Sequence, residues 1–246
     1  MSCDSSAFDL NGYLKDLIAD LKKTFGDRLL YVGLQGSYLR GEANESSDVD
    51  VMLILDRLSV ADMDAYRKIL KRLGSFERSC GFLCGKDEMT RWNPLETVQL
   101  LHTTKDLFGT LEDFLPPATR ADEIRYVQLS LGNLYHELCH RYVHADRAKN
   151  EAKFRGTCKG VFFLLQNLHF LESGRFLLTK RALSEAVCAA DREVLALSAL
   201  PDGFDFDRAF ALLFAWCQEA FLRLDRVSEQ ECAGPHGSRH GKRKRS

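Results

Sequence analysis

Apolar residues recur at helical spacing from Leu10 through Tyr13, Leu14, Leu17, Ile18 and Leu21, with Gly26 as a stop, so a helix is predicted over 9–24. Two apolar runs, 29–35 and 49–55, read as strands on either side of a polar connection rich in Gly, Glu, Asn and Ser. Met63, Tyr66, Ile69, Leu70 and Leu73 give a second helix over 61–73, closed by Gly74. The short apolar run 80–84 is a third expected strand and 97–103 a fourth. Pro116-Pro117 then ends regular structure and marks a domain boundary. Beyond it clear alternation is lost, and amphipathic helices are predicted over 121–147, 151–172, 179–198 and 205–229. Four helices with short connections suggest an up-and-down bundle. The expected class is α+β: a small mixed sheet with helices on one face over 1–118, then a helical bundle over 119–230. The final stretch, 231–246, carries Arg239, Lys242, Arg243, Lys244 and Arg245 and is expected to be a solvated, disordered tail.

The candidate chemistry lies in the connection between the first two strands. Asp48 and Asp50 stand two residues apart at the start of a strand, so their carboxylates share a face. Like charges this close are costly unless a cation lies between them. Mg²⁺ takes such oxygens and usually binds substrate phosphates as well. Gly36-Ser37 precedes the pair and offers backbone N–H groups and a hydroxyl, with no Cβ at Gly36 to obstruct a phosphate. A phosphate cradle followed by a carboxylate pair suits phosphoryl or nucleotidyl transfer.

Gly36-Ser37, ten residues, then Asp48-Val49-Asp50 resembles the signature of the nucleotidyltransferase superfamily with the polymerase-beta-like fold. The run Gly-Ser-Tyr-Leu-Arg-Gly-Glu-Ala with Ser47-Asp48 is similar to its minimal and antibiotic-modifying branches. The resemblance implies transfer of a nucleoside monophosphate, AMP from ATP, to a hydroxyl-bearing acceptor with release of pyrophosphate. Gly36 and Ser37 would hold the β- and γ-phosphates, Arg40 would touch phosphate, and Asp48 and Asp50 would bind Mg²⁺. It also implies a third carboxylate on a later strand, acting as base or sharing the metal. Glu88, 38 residues beyond Asp50, is the first candidate and Asp87 the alternative. Gly174-Arg175, four residues and Lys180 resembles a segment of the helical domain of antibiotic adenylyltransferases and HEPN-type bundles. There, the matching lysine reaches the nucleotide phosphates. An aminoglycoside-type antibiotic is the first acceptor implied, with protein AMPylation of the toxin–antitoxin kind and a catalytically silent nucleotide-binding module as alternatives. Some relatives share a site between two chains, so a homodimer is compatible with the resemblance.

Composition narrows the partners. A net charge of −1 provides no global field for nucleic acid or membrane, and no apolar run is long enough to span a bilayer. A nucleic-acid partner is not expected. The first residues lack the basic and apolar regions of a signal peptide, which implies the cytoplasm and free thiols for the eight scattered cysteines. Trp92 could stack on a base but is expected to pack in the core. One rival motif stands out: His136-Glu137-Leu138-Cys139-His140 fits the zinc-protease pattern, with His144 one turn further. His144 comes too early for the longer metalloprotease spacing and no third ligand is marked, so a structural or substrate-lining role is expected. None of the seven histidines follows an arginine at the spacing used by HEPN-type nucleases, so RNase activity is not expected.

Overall fold

The structure is a computed structural model that describes residues 8–74 and 76–233. The chain divides into two compact units, Met1–Ala118 and Thr119–Ser246.

The first unit is built on a four-stranded sheet. Its strands are β1 (Leu29–Leu34), β2 (Val49–Leu55), β3 (Ser79–Gly85) and β4 (Lys105–Phe108), arranged β3-β2-β1-β4. β1 runs antiparallel to β2 and β4, while β2 and β3 are parallel. A parallel pair needs a crossover, supplied here by α3 (Val60–Arg72). α1 (Leu10–Phe25) precedes β1, and the five-residue α2 (Gly36–Arg40) opens the connection from β1 to β2.

Alternation along β2 sorts the sheet's two faces. Val49, Val51, Leu53 and Leu55 join Leu17 and Leu21 of α1 and Ile69 of α3 in one core. Met52 and Ile54 join Tyr31, Cys84, Met89 and Leu111 in another, with Trp92 and Leu100 packed against it. Helices therefore cover both faces rather than one, because α4 (Lys86–Thr90) and α5 (Pro94–His102) close the second side. Trp92 meets Phe82 edge-on at 5.0 Å and donates to Glu96.

The fourth strand is not at 97–103. Residues 97–102 belong to α5, with Thr103 as its C-cap, and the helix is started by the Asn93 side chain accepting from Leu95 N–H and by Pro94 in the first turn. The edge strand β4 follows it, short and largely exposed, without the apolar alternation that marks strands.

The second unit is helical: α6 (Arg120–His144), α7 (Arg147–Ser173), α8 (Lys180–Ala186), α9 (Ala189–Ala196) and α10 (Phe206–Ala233). α6 begins with a Thr119/Asp122 capping box, and α7 with an Asp146 cap on Lys149 N–H. Its core gathers Leu131, Phe154, Leu165, Leu168, Leu213 and Trp216. The single helix expected over 179–198 is two. Val187 and Cys188 are extended, and α9 restarts so that buried Asp191 accepts from Trp216 Nε1 and from Arg223, each at 2.7 Å. α10 runs on to Ala233, past the expected end at 229. The basic tail from Gly234 onward lies outside the described residues.

Candidate active site

β1 and β2 converge on the motif. Asp50 alternates with the buried Val49 and Val51 and so lies on the same face as Met52 and Ile54. Asp48, one step before the strand, continues that alternation; it is exposed and Asp50 is half-buried. Gln35 N–H donates to the Asp50 carbonyl at 2.8 Å, which brings the end of β1 beside the carboxylate pair.

The next residue is Gly36, at φ 70°. A Cβ there would run into the Asp50 carboxylate. Glycine is thus required twice, for the left-handed backbone and for the close approach. Gly36 and Ser37 begin α2, whose N-cap residue Gln35 makes no side-chain cap because its amide donates to Thr104 Oγ1 at 2.8 Å. The first amides of α2 are left without a side-chain acceptor beside two carboxylates. Arg40, at the other end of α2, is engaged by Glu42 at 2.9 Å.

The parallel register decides what stands next to Asp50 on β3. Asp50 pairs with Cys80 and Leu55 with Gly85. Cys80 is exposed, and its thiol is pushed up by burial, then by its hydrogen bond to Asp50 and the charges of Asp50 and Asp48. Glu88 and Asp87 lie in α4, beyond the opposite end of β3. Five ladder positions separate the Asp50 level from Gly85, about 16 Å of strand. The Glu88 carboxylate folds back over Gly85. Gly36, Ser37, Asp48 and Asp50 are therefore brought together, and Glu88 is not brought to them. Cys80 escaped the sequence reading because a thiol in an apolar run looks like core; the register of a parallel strand after α3 was the signal needed.

Residues 14–82 match the family model described as nucleotidyltransferase domain. A curated protein of Methanocaldococcus jannaschii, named as a putative protein adenylyltransferase, is 40% identical over 58 residues, which is 24% of this chain and 40% of that protein. The residues that match the family model run from α1 into β3 of the first unit. The chain spans two fifths of the length of that curated relative. Among solved structures, the spectinomycin adenyltransferase AAD(9) from Enterococcus faecialis, crystallised with ATP and spectinomycin, superposes with a TM-score of 0.52. It is 14% identical, with 87% of this chain and 99% of that chain covered, a likeness of fold.

Among the described residues, no group of three or more His, Cys, Asp and Glu is gathered as an ion site. Asp48 and Asp50 suit an ion of another kind, since Mg²⁺ commonly takes one or two carboxylates together with nucleotide phosphates.

Lys180 begins α8 of the helical unit, its Nζ 5.8 Å from the centre of the Phe162 ring. His136, His140 and His144 line one exposed face of α6, with ring centres 5.8 and 5.0 Å apart. Glu137, the base a zinc protease would need, is ion-paired with Arg141 and accepts from Thr157. That pairing argues against proteolysis. α6 and α7 also flank an open cavity of about 680 Å³, lined by Tyr126, Asn133, Glu137, Arg141, Lys153 and Thr157.

Proposed function

We propose that this chain is a metal-dependent adenylyltransferase moving AMP from ATP to a hydroxyl acceptor, with pyrophosphate released. The observation that carries the reading is Gly36 held against Asp50 at the mouth of an uncapped helix. That arrangement sets amides for phosphate oxygens beside carboxylates for a cation.

Asp48 and Asp50 would hold Mg²⁺. When bound, the ion neutralises the triphosphate and polarises the α-phosphorus. Gly36 and Ser37 would fix the terminal phosphates through backbone N–H groups and the Ser37 hydroxyl, so that the α-phosphate is oriented for in-line attack. Arg40 shapes the connection through Glu42 rather than presenting its charge to phosphate. Lys180 is a candidate phosphate partner on the strength of its family-like segment. Glu88 has no part in this reading, since the sheet separates it from the pair.

A small polar acceptor of the aminoglycoside type is the first choice. The fold likeness to the spectinomycin enzyme extends over most of the chain, and the cavity between α6 and α7 has the size and mixed lining of a small-molecule site. A protein hydroxyl is the second reading, favoured by 40% identity to the Methanocaldococcus jannaschii protein.

The test is pyrophosphate release from ATP and Mg²⁺ with a panel of aminoglycosides and lincosamides, alongside transfer of labelled AMP to lysate proteins. Asp50→Asn is expected to lower turnover by on the order of 10³-fold, about 4 kcal/mol of transition-state stabilisation, with the fold intact by circular dichroism. Turnover within tenfold of wild type in that variant would overturn the assignment.

A further inference from the structure

The carboxylate pair has a neighbour that nothing in the proposed reaction uses. Cys80 lies across the parallel ladder from Asp50, on the same face of the sheet. The two side chains therefore stand next to each other at the start of the sheet's β2–β3 ladder. The next residue, Gly81, has φ 143°, and a Cβ there would run into the backbone of Val51. β3 is thus pressed onto β2 at this point, which fixes the backbone of position 80 beside Asp50.

Three consequences follow for a hard cation. The protein offers it two negative charges. The adjoining side chain ends in sulfur, a poor ligand for Mg²⁺ or Mn²⁺ compared with oxygen. A triphosphate arriving with the ion supplies the oxygens and charge that are missing.

We propose that Cys80 makes this a site that takes up its metal only together with the nucleotide, and that the side chain at position 80 sets how tightly the bare ion is held. The inference rests on the reading of Asp48 and Asp50 as metal carboxylates. An oxygen acid at position 80 would add a third charge and a hard ligand beside Asp50.

The experiment is calorimetric titration of the full chain with Mn²⁺ alone, then with Mn²⁺ and ATP. Wild type should bind Mn²⁺ appreciably only when ATP is present. Cys80→Asp should bind Mn²⁺ alone on the order of tenfold tighter or more, because cation affinity follows the charge count of the ligands. Cys80→Asn, equal in size to Asp but uncharged, should not reproduce the gain. Cys80→Glu serves if thermal melting shows the Asp variant misfolded; position 80 is exposed, so one of the two should fold. The inference is overturned if wild type binds Mn²⁺ alone as tightly as a folded acidic variant. Asp50→Asn separates the two levels. If it leaves Mn²⁺–ATP binding intact, the reading of the pair itself fails. If it abolishes that binding while the acidic variants gain nothing, only the role of Cys80 fails.

Discussion

Gly36 is the residue on which the site's geometry turns. Its positive φ alone makes alanine costly, by about 1 kcal/mol, and the collision with Asp50 adds displacement of a carboxylate. Gly36→Ala is therefore expected to lose ATP-dependent turnover by more than its modest drop in melting temperature explains, with Asp50→Asn as the reference for complete loss. Glycine and the Asp-x-Asp pair were legible in the sequence because each has a chemical reason that survives without coordinates. Cys80 was not, since what distinguishes it is a cross-ladder neighbour thirty residues away. Residue type suggests phosphate as a partner for Arg40, and the structure adds an ion pair with Glu42 two residues on that residue type alone does not disclose.

Elements whose signals were strong fell where they were expected. β1, β2 and α3 combine an apolar run or helical stripe with clear punctuation, and α3 is further tied down by its Ser59/Asp62 capping box. Arg28 adds a fork from below, donating to both oxygens of Asp62 and to Asp56. The Arg28 hydrogen bonds, and then that of Ser59, hold the Asp62 carboxyl below its usual range. A depressed folded-state value contributes stability above the unfolded value near 4, and that contribution is lost as pH falls through the lower folded value. Asp62→Asn should accordingly lower the melting temperature by a constant amount above about pH 5, with the gap to wild type narrowing below about pH 4. A gap that does not change with pH would remove the ionised carboxylate from the account. α5 and β4 were misread because Thr97, Val98 and Thr103 favour strands locally, while the decisive cap, Asn93-Pro94, is short. The break between α8 and α9 has no glycine or proline to announce it. It exists to turn Asp191 inward, and Asp191→Ala should cost roughly 2–3 kcal/mol by leaving Trp216 and part of Arg223 unsatisfied in the core, measurable by chemical denaturation.

At the scale of the whole chain, each unit carries a core of its own, and the thiols report on both. Cys84 in the sheet unit and Cys158 and Cys217 in the helical one are buried, and burial pushes each thiol up to about 12. Cys80 and Cys188 are exposed. Peptide mapping after brief alkylation of the native protein should find Cys80 and Cys188 modified, and the three buried cysteines modified only after denaturation. ATP with Mg²⁺ should slow alkylation of Cys80 and leave Cys188 unchanged, since only Cys80 adjoins Asp50. The α+β plan of a sheet followed by helices was readable from the change in periodicity after Pro116-Pro117. The covering of both sheet faces was not, because it depends on two short helices with weak patterns.

The crossover through α3 has a bearing on how the site comes into being. Gly36 and Asp50 are near neighbours in sequence, but Cys80 reaches them only once β3 has docked in parallel beside β2, a long-range closure of the kind that completes late in refolding. The approach of Gly36 to Asp50 can therefore form in a nascent hairpin of β1 and β2, whereas the place of Cys80 beside them is a product of the finished sheet. Nucleotide added to a refolding chain becomes a clock: binding that appears before Cys80 is protected from alkylation would mark the hairpin, and binding that appears with it would mark closure of the sheet.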